Sequence, residues 1–157
     1  MNPQPQAGAK APTFDLPVSG GDYTDGCRVK LADLKGQSVV LYFYPKDDTP
    51  GCTVQACALR DGWAEISAKA KVFGVSIDSI TSHEKFIKKH QLPFPIISDE
   101  ERSLVAAYGV WVEKSMYGKT YMGTERTTFI ITHDGCIKAV LARVKPEEHL
   151  SQILALL

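Results

Sequence analysis

A cysteine in the first turn of a helix, preceded by a proline and a threonine, is a way to make a reactive thiolate. The stretch Tyr42-Phe43-Tyr44-Pro45-Lys46-Asp47-Asp48-Thr49-Pro50-Gly51-Cys52-Thr53-Val54-Gln55-Ala56-Cys57 has this form, with Arg126 far downstream. It reads as an apolar strand, a loop led by Pro45, the hydroxyl residue Thr49, and then Cys52 with Cys57 five positions on. An ordinary thiol has a pKa near ~8.5, which a helix N-terminus or a nearby cation can lower to roughly 3.5–7.5. Thr49 suits the N-cap and Pro50 the first helical position, so Cys52 falls near the third. There its sulfur meets unpaired backbone N–H groups and the positive end of the helix dipole. Cys52 is the candidate nucleophile.

The elements that must position it follow from periodicity. Residues 38–44 form a continuous apolar run of strand length, as a central buried strand requires. A helix is expected over 51–69, where Cys52, Ala56, Leu59, Trp63, Ile66 and Ala70 share one apolar stripe facing the sheet. Cys57 lies about 140° around that helix from Cys52. Ideal geometry separates their Cα atoms by roughly 8–9 Å, beyond the ~7 Å limit for a disulfide. The two thiols can join only if the first turns unwind, which Pro50 and Gly51 would ease.

Further strands are expected at 71–77 and 96–97, and helices at 82–90 with a serine cap and at 103–108, closed by Gly109. Residues 23–31 read as a short strand behind the Gly20-Gly21 turn, and 32–35 as a helical turn ended by Gly36. After an irregular stretch, strands at 127–132 and 136–142 meet at His133-Asp134-Gly135, a hairpin signal. Pro146 fits the first position of a last helix running to Leu157, with Glu147 and Glu148 in its first turn. Strand–helix units followed by a hairpin and a helix imply an α/β, thioredoxin-like fold with a central mixed sheet flanked by helices. Residues 1–157 are expected to form a single domain, with 1–11 as a loose lead-in.

Composition excludes several functions. Eighteen basic residues balance eighteen acidic ones, so nothing in the charge favours nucleic acid or an anionic membrane. The apolar run at 39–44 is far shorter than the ~20 residues of a spanning helix. The first residues, Met1-Asn2-Pro3-Gln4-Pro5-Gln6, lack the basic start and apolar core of a signal peptide. A cytoplasmic location is therefore expected, where disulfides are rare and usually catalytic.

Pro45-x-x-x-Thr49-x-x-Cys52 matches the active-site signature of peroxiredoxins. The longer run through Cys57 to Arg60-Asp61 resembles the Q-type subfamily, also called bacterioferritin comigratory protein. The likeness spans nearly the whole chain and includes Gly109-Val110-Trp111, Glu113-Lys114, Gly118-Lys119 and Arg126-Thr127-Thr128-Phe129. The resemblance implies that Cys52 attacks the O–O bond of a hydroperoxide and becomes a sulfenic acid. It implies that Thr49 bonds the thiolate and the peroxide oxygen, that Arg126 stabilises both thiolate and leaving oxygen, and that Pro45 shields the site. Cys57 matches the resolving position, forming an intramolecular disulfide that a thioredoxin- or glutaredoxin-like protein would reduce. No metal, haem or flavin is implied. Relatives of this type are often monomers, and a monomer is expected.

Two departures stand out. Gln55 occupies a position where many relatives have Glu, leaving the site's hydrogen-bond support neutral. Residues 79–87 contain no cysteine, although other members resolve from that helix, so Cys57 is the resolver the pattern offers. Cys27 and Cys136 read as packing or plain exposure, and His83, His90, His133 and His149 as members of solvated faces. Tyr108 and Trp111 read as core or wall aromatics. The Cys-x4-Cys spacing argues against a Cys-x-x-Cys oxidoreductase. Zinc would need paired ligands, and a cysteine hydrolase a nearby histidine. A one-cysteine peroxidase using an external thiol, or a non-enzymatic holdase, stays open.

Overall fold

Five consecutive apolar residues in a strand need cover on both faces, and this need organises the sheet. β3 (Val39–Phe43) is buried at every position, and its side chains alternate between two cores. Val39, Leu41 and Phe43 join Val105, Tyr108, Phe129 and Ile131. Val40, Tyr42 and the following Tyr44 join Cys52, Ala56, Leu59 and Ile153. These relations come from a computed structural model that describes residues 3–24 and 27–157. Met1 and Asn2 of the lead-in, and Asp25 and Gly26 inside the strand expected at 23–31, lie outside the described residues.

The other strands are β1 (Asp15–Ser19), β2 (Arg28–Lys30), β4 (Lys71–Ser76), β5 (Ile96–Ser98), β6 (Trp111–Met116), β7 (Lys119–Thr124), β8 (Thr127–Ile131) and β9 (Ile137–Leu141). The helices are α1 (Pro50–Asp61), α2 (Trp63–Ser67), α3 (Ile80–His90), α4 (Ser103–Ala107) and α5 (His149–Leu156). Seven strands form one sheet in the order β2-β1-β5-β4-β3-β8-β9. β3, β4 and β5 run parallel, while β8, β9, β1 and β2 pair antiparallel. This is a mixed, thioredoxin-like sheet with flanking helices. The register pairs Phe43 with Thr127, so Arg126 arrives beside the end of β3, where the Pro45 loop departs.

Several expectations are corrected. The helix expected over 51–69 divides at Gly62, which caps α1. A Cβ there would collide with Leu150 Cδ2, so the glycine lets α5 pack against the junction. The helix expected at 82–90 starts earlier, at Ile80, because the Ser79 hydroxyl accepts from the Ser82 N–H at 3.1 Å. Pro146 does not open the last helix. Residues 146–148 form a turn, with Glu148 N–H donating to Lys145 O, and α5 begins at His149.

The stretch expected to be irregular is the β6–β7 hairpin, closed by Tyr117 and Gly118 at φ 52° and 76°. Its strands hide few side chains, so no buried face marked them in sequence. Nor are residues 8–11 loose. Gly8 N–H donates to Ile137 O at 2.8 Å and Ala11 N–H to Gly135 O at 2.9 Å. Among the described residues no helix is long and apolar enough to cross a membrane.

Phe129 carries much of the core on the β8 side, with its ring 5.7 Å from Phe43 and 5.0 Å from Tyr108, both edge-on. Phe129→Ala is expected to cost about 3–5 kcal/mol. Urea unfolding should show this as a lower midpoint at unchanged slope, and a cost below ~1 kcal/mol would contradict the packing described.

Candidate active site

Cys52 sits where backbone donors go unpaired. Thr49 has the extended N-cap conformation, Pro50 opens α1, and Thr53 N–H donates to Thr49 O at 2.8 Å. Cys52 is thus the third helical residue and only 2% exposed. No acidic side chain lies in that first turn to oppose a negative sulfur. The expected side-chain cap is absent. Thr49 Oγ1 donates back to Lys46 O at 2.9 Å and closes the loop instead. Pro45, half-buried, follows directly on Tyr44.

Arg126 reaches Cys52 from the β7–β8 junction. Its Nη1 lies 3.5 Å from Cys52 Sγ and donates to Gln55 Oε1 at 2.7 Å. A Cβ on Gly51 would come within 3.1 Å of Arg126 Nη2, so this glycine makes room for the guanidinium. Gln55 is fully buried, and its Nε2 lies 3.0 Å from His149 Nδ1. His149 Nε2 lies 2.7 Å from Thr128 Oγ1. The expected solvated face for His149 is therefore wrong. His149 and Ile153, one helical turn apart, form the buried side of α5. That spacing was the sequence signal for it.

A second cation stands near the sulfur. Half-buried Lys114 in β6 donates from Nζ to Thr124 O at 2.5 Å. Burial, then the charge of Arg126, hold its pKa below the ordinary lysine value, while Cys52 pulls in the opposite direction.

The loop before Cys52 is tied down by α3. Asp47 accepts from Tyr44 Oη at 2.5 Å and from Ser82 Oγ at 2.8 Å, and its Oδ2 lies 2.7 Å from His83 Nδ1. His83 Nε2 faces Ile97 O at 3.1 Å, so this ring is buried and not on a solvated face. Asp48 adopts φ 58° and pairs with Lys89 at 2.8 Å and His90 at 3.3 Å. His90 also stacks edge-on to Phe86, leaving His133 as the exposed histidine that was expected. Asp47, Asp78 and His83 could together approach a metal ion. Ser76 and the Asp47 N–H donate to Asp78 Oδ2, and with the donors on Asp47 they already occupy these acceptors.

Cys57, half-buried, shares the unbroken α1 with Cys52, and neither forms a disulfide. Cys27 Sγ lies 3.0 Å from Thr24 Oγ1, and Cys136 bridges to Lys10 at the sheet edge. Tyr108 donates to Pro12 O at 2.8 Å, and Trp111 packs under Arg102 at 5.3 Å, consistent with wall and core roles.

Burial, and secondarily the charge of Arg126, push the His149 pKa down to about 3. The ring of Tyr42 packs against it with centroids 5.3 Å apart. Unfolded histidine titrates near ~6.5, so between that pH and about 3 the unfolded chain binds the extra proton. Stability from this group is fully present above the unfolded value and drains away as pH falls, by at most about 1.4 kcal/mol per unit. Urea midpoints should drop from pH 7 to 4, and His149→Asn should flatten the slope. Identical slopes would contradict a neutral buried ring.

The geometry agrees with what the chain is similar to. The AhpC/TSA family profile matches residues 7–140. Peroxiredoxin Bcp of Bacillus subtilis is 45% identical over 152 residues, covering 95% of this chain and 92% of that protein. Peroxiredoxin Bcp of Escherichia coli K12 is 44% identical over 155 residues, covering 98% and 96%. A Xanthomonas campestris bacterioferritin comigratory protein, studied for alkyl peroxide reduction, superposes with TM-score 0.85 at 36% identity, covering 95% of each chain. The chain belongs to the AhpC/TSA family and, within it, to the Q-type peroxiredoxins.

Proposed function

We propose that Cys52 is the peroxidatic nucleophile of this thiol-dependent peroxidase and that Cys57 resolves it. The observation that carries the proposal is the Arg126 guanidinium, 3.5 Å from a sulfur seated at a helix N-terminus. The Cys52 thiolate attacks the terminal oxygen of a hydroperoxide. An S–O bond forms, the O–O bond breaks, and the leaving oxygen departs as water or an alcohol after taking a proton. Arg126 and the first-turn N–H groups face the charge that develops, as an oxyanion-stabilising cradle does. The Thr49 hydroxyl, its proton directed to Lys46 O, keeps lone pairs for the incoming hydroperoxide O–H, and Pro45 walls the loop side.

Cys57 then attacks the sulfenic sulfur, forming S–S and releasing the hydroxyl as water. With both cysteines on one intact helix, this step requires α1 to unwind between them. A dithiol protein of thioredoxin or glutaredoxin type takes the disulfide by exchange and leaves both thiols reduced. Substrates are hydrogen peroxide and organic hydroperoxides. The protein works as a single-domain monomer in the cytoplasm, where such reductants keep thiols reduced.

Cys52→Ser should abolish peroxide turnover in a thioredoxin-coupled assay while leaving the circular dichroism spectrum unchanged. Turnover in that variant would overturn the mechanism. A holdase role, for which the exposed Met116, Tyr117, Tyr121 and Met122 of the hairpin offer apolar surface, would survive the same substitution. Cys57→Ser should still oxidise once but stop as a sulfenic acid. Undiminished thioredoxin-coupled turnover would assign resolution to an external thiol.

A further inference from the structure

We propose that His149 is a positioning residue for the thiolate chemistry. By accepting a hydrogen bond at Nδ1, it holds the Gln55 amide in the one orientation that lets Gln55 keep Arg126 against Cys52. The inference rests on the reading of Cys52 as nucleophile and adds a support for it that the motif does not contain.

The polarity of the relay follows from its fixed end. A guanidinium can only donate, so the Gln55 atom 2.7 Å from Arg126 Nη1 is its oxygen. The NH2 end of the amide therefore faces His149, 3.0 Å away, and it too can only donate. His149 Nδ1 must then carry a lone pair. A neutral ring keeps its proton on Nε2, which donates to Thr128 Oγ1 at 2.7 Å. Every bond runs in one direction, from Arg126 through Gln55 and His149 to Thr128.

A glutamine amide has nearly the same shape either way round, so packing alone does not choose its orientation. Flipped, it would turn NH2 toward the guanidinium and set donor against donor. Arg126 thus fixes the oxygen end, and the acceptor at His149 satisfies the NH2 end that this orientation leaves buried beside it. Gln55 and His149 are both fully buried, so bulk water cannot substitute for the ring nitrogen. An aliphatic residue in place of His149 would leave the buried Gln55 NH2 without an acceptor, a cost relieved by shifting the side chain and loosening its hold on Arg126. An asparagine would return an acceptor near the Nδ1 position.

The first test is long-range 1H–15N correlation on the reduced, 15N-labelled wild-type protein between pH 6 and 8. The expected result is a neutral His149 with its proton on Nε2 throughout. A proton on Nδ1, or titration in that range, would overturn the relay.

The second test compares His149→Leu with His149→Asn by stopped-flow oxidation with hydrogen peroxide and by the pH profile of Cys52 alkylation. His149→Leu should oxidise about tenfold more slowly at pH 7, with its alkylation profile moved about one unit to higher pH. His149→Asn should recover most of both. A wild-type rate and profile in His149→Leu, or equal impairment in the two variants, would overturn the proposal. If His149→Leu does not fold, the tautomer and the His149→Asn profile decide it. Cys52→Ser in the same assay separates the readings. If that variant still reacts, the nucleophile assignment fails, whereas unresponsive His149 variants beside an inert Cys52→Ser sink the relay alone.

Discussion

A sulfur that is to carry charge inside a protein needs its counter-charge in place, because an unpaired buried ion is among the most costly things a fold can contain. In the proposed mechanism that compensation is the approach of Arg126 to Cys52, reinforced by the unpaired N–H groups of the first turn of α1. Much else in the structure serves this contact. The antiparallel register of β3 and β8 brings Arg126 to the end of β3, from which the Cys52 loop departs. Gly51 leaves room for the guanidinium, and the buried Gln55 holds its other side. The two cores on either face of β3 keep these strands in register. Displacing one strand by a residue would invert its side chains and take Arg126 from the site.

The same site has to satisfy a second, opposed demand. Oxidation wants α1 intact, since helix geometry supplies the donors. Resolution by Cys57, as proposed, wants α1 opened. The distribution of anchors suits both needs. The loop before the helix is bound firmly to α3 through Asp47, His83, Ser82 and the Asp48 pairs. The helix itself carries Gly51 in its first turn and breaks at Gly62. The opening proposed for resolution would fall in the segment that carries Gly51, while the loop before it stays tied to α3.

The parts of this arrangement legible in the sequence were those encoded by local pattern. The apolar run of β3, the Pro50-Gly51-Cys52 helix start and the Asp134-Gly135 hairpin each carry a short-range signature. Arg126 entered through its match to a family motif, and the β3–β8 register supplies the physical reason it lies where it does. What local pattern could not reveal was long-range polar pairing. His83 and His149 looked like helix-surface residues because no nearby residue announces a partner. Their partners, Asp47 and Gln55, lie far away in sequence and meet them only after the sheet closes. The β6–β7 hairpin escaped for a different reason. A strand pair with little buried surface lacks the alternation that marks a strand. Thr49 behaved as an N-cap in backbone but not in side chain, because its hydroxyl found the Lys46 carbonyl first.

The central claim is that Cys52 is oxidised and then captured by Cys57 across an opened helix. Peptide mass spectrometry of the reduced protein after one equivalent of hydrogen peroxide addresses it most directly. The expected product is a Cys52–Cys57 disulfide with Cys27 and Cys136 still free. An unmodified Cys52, with the peroxide unconsumed or spent on another cysteine, would contradict the claim.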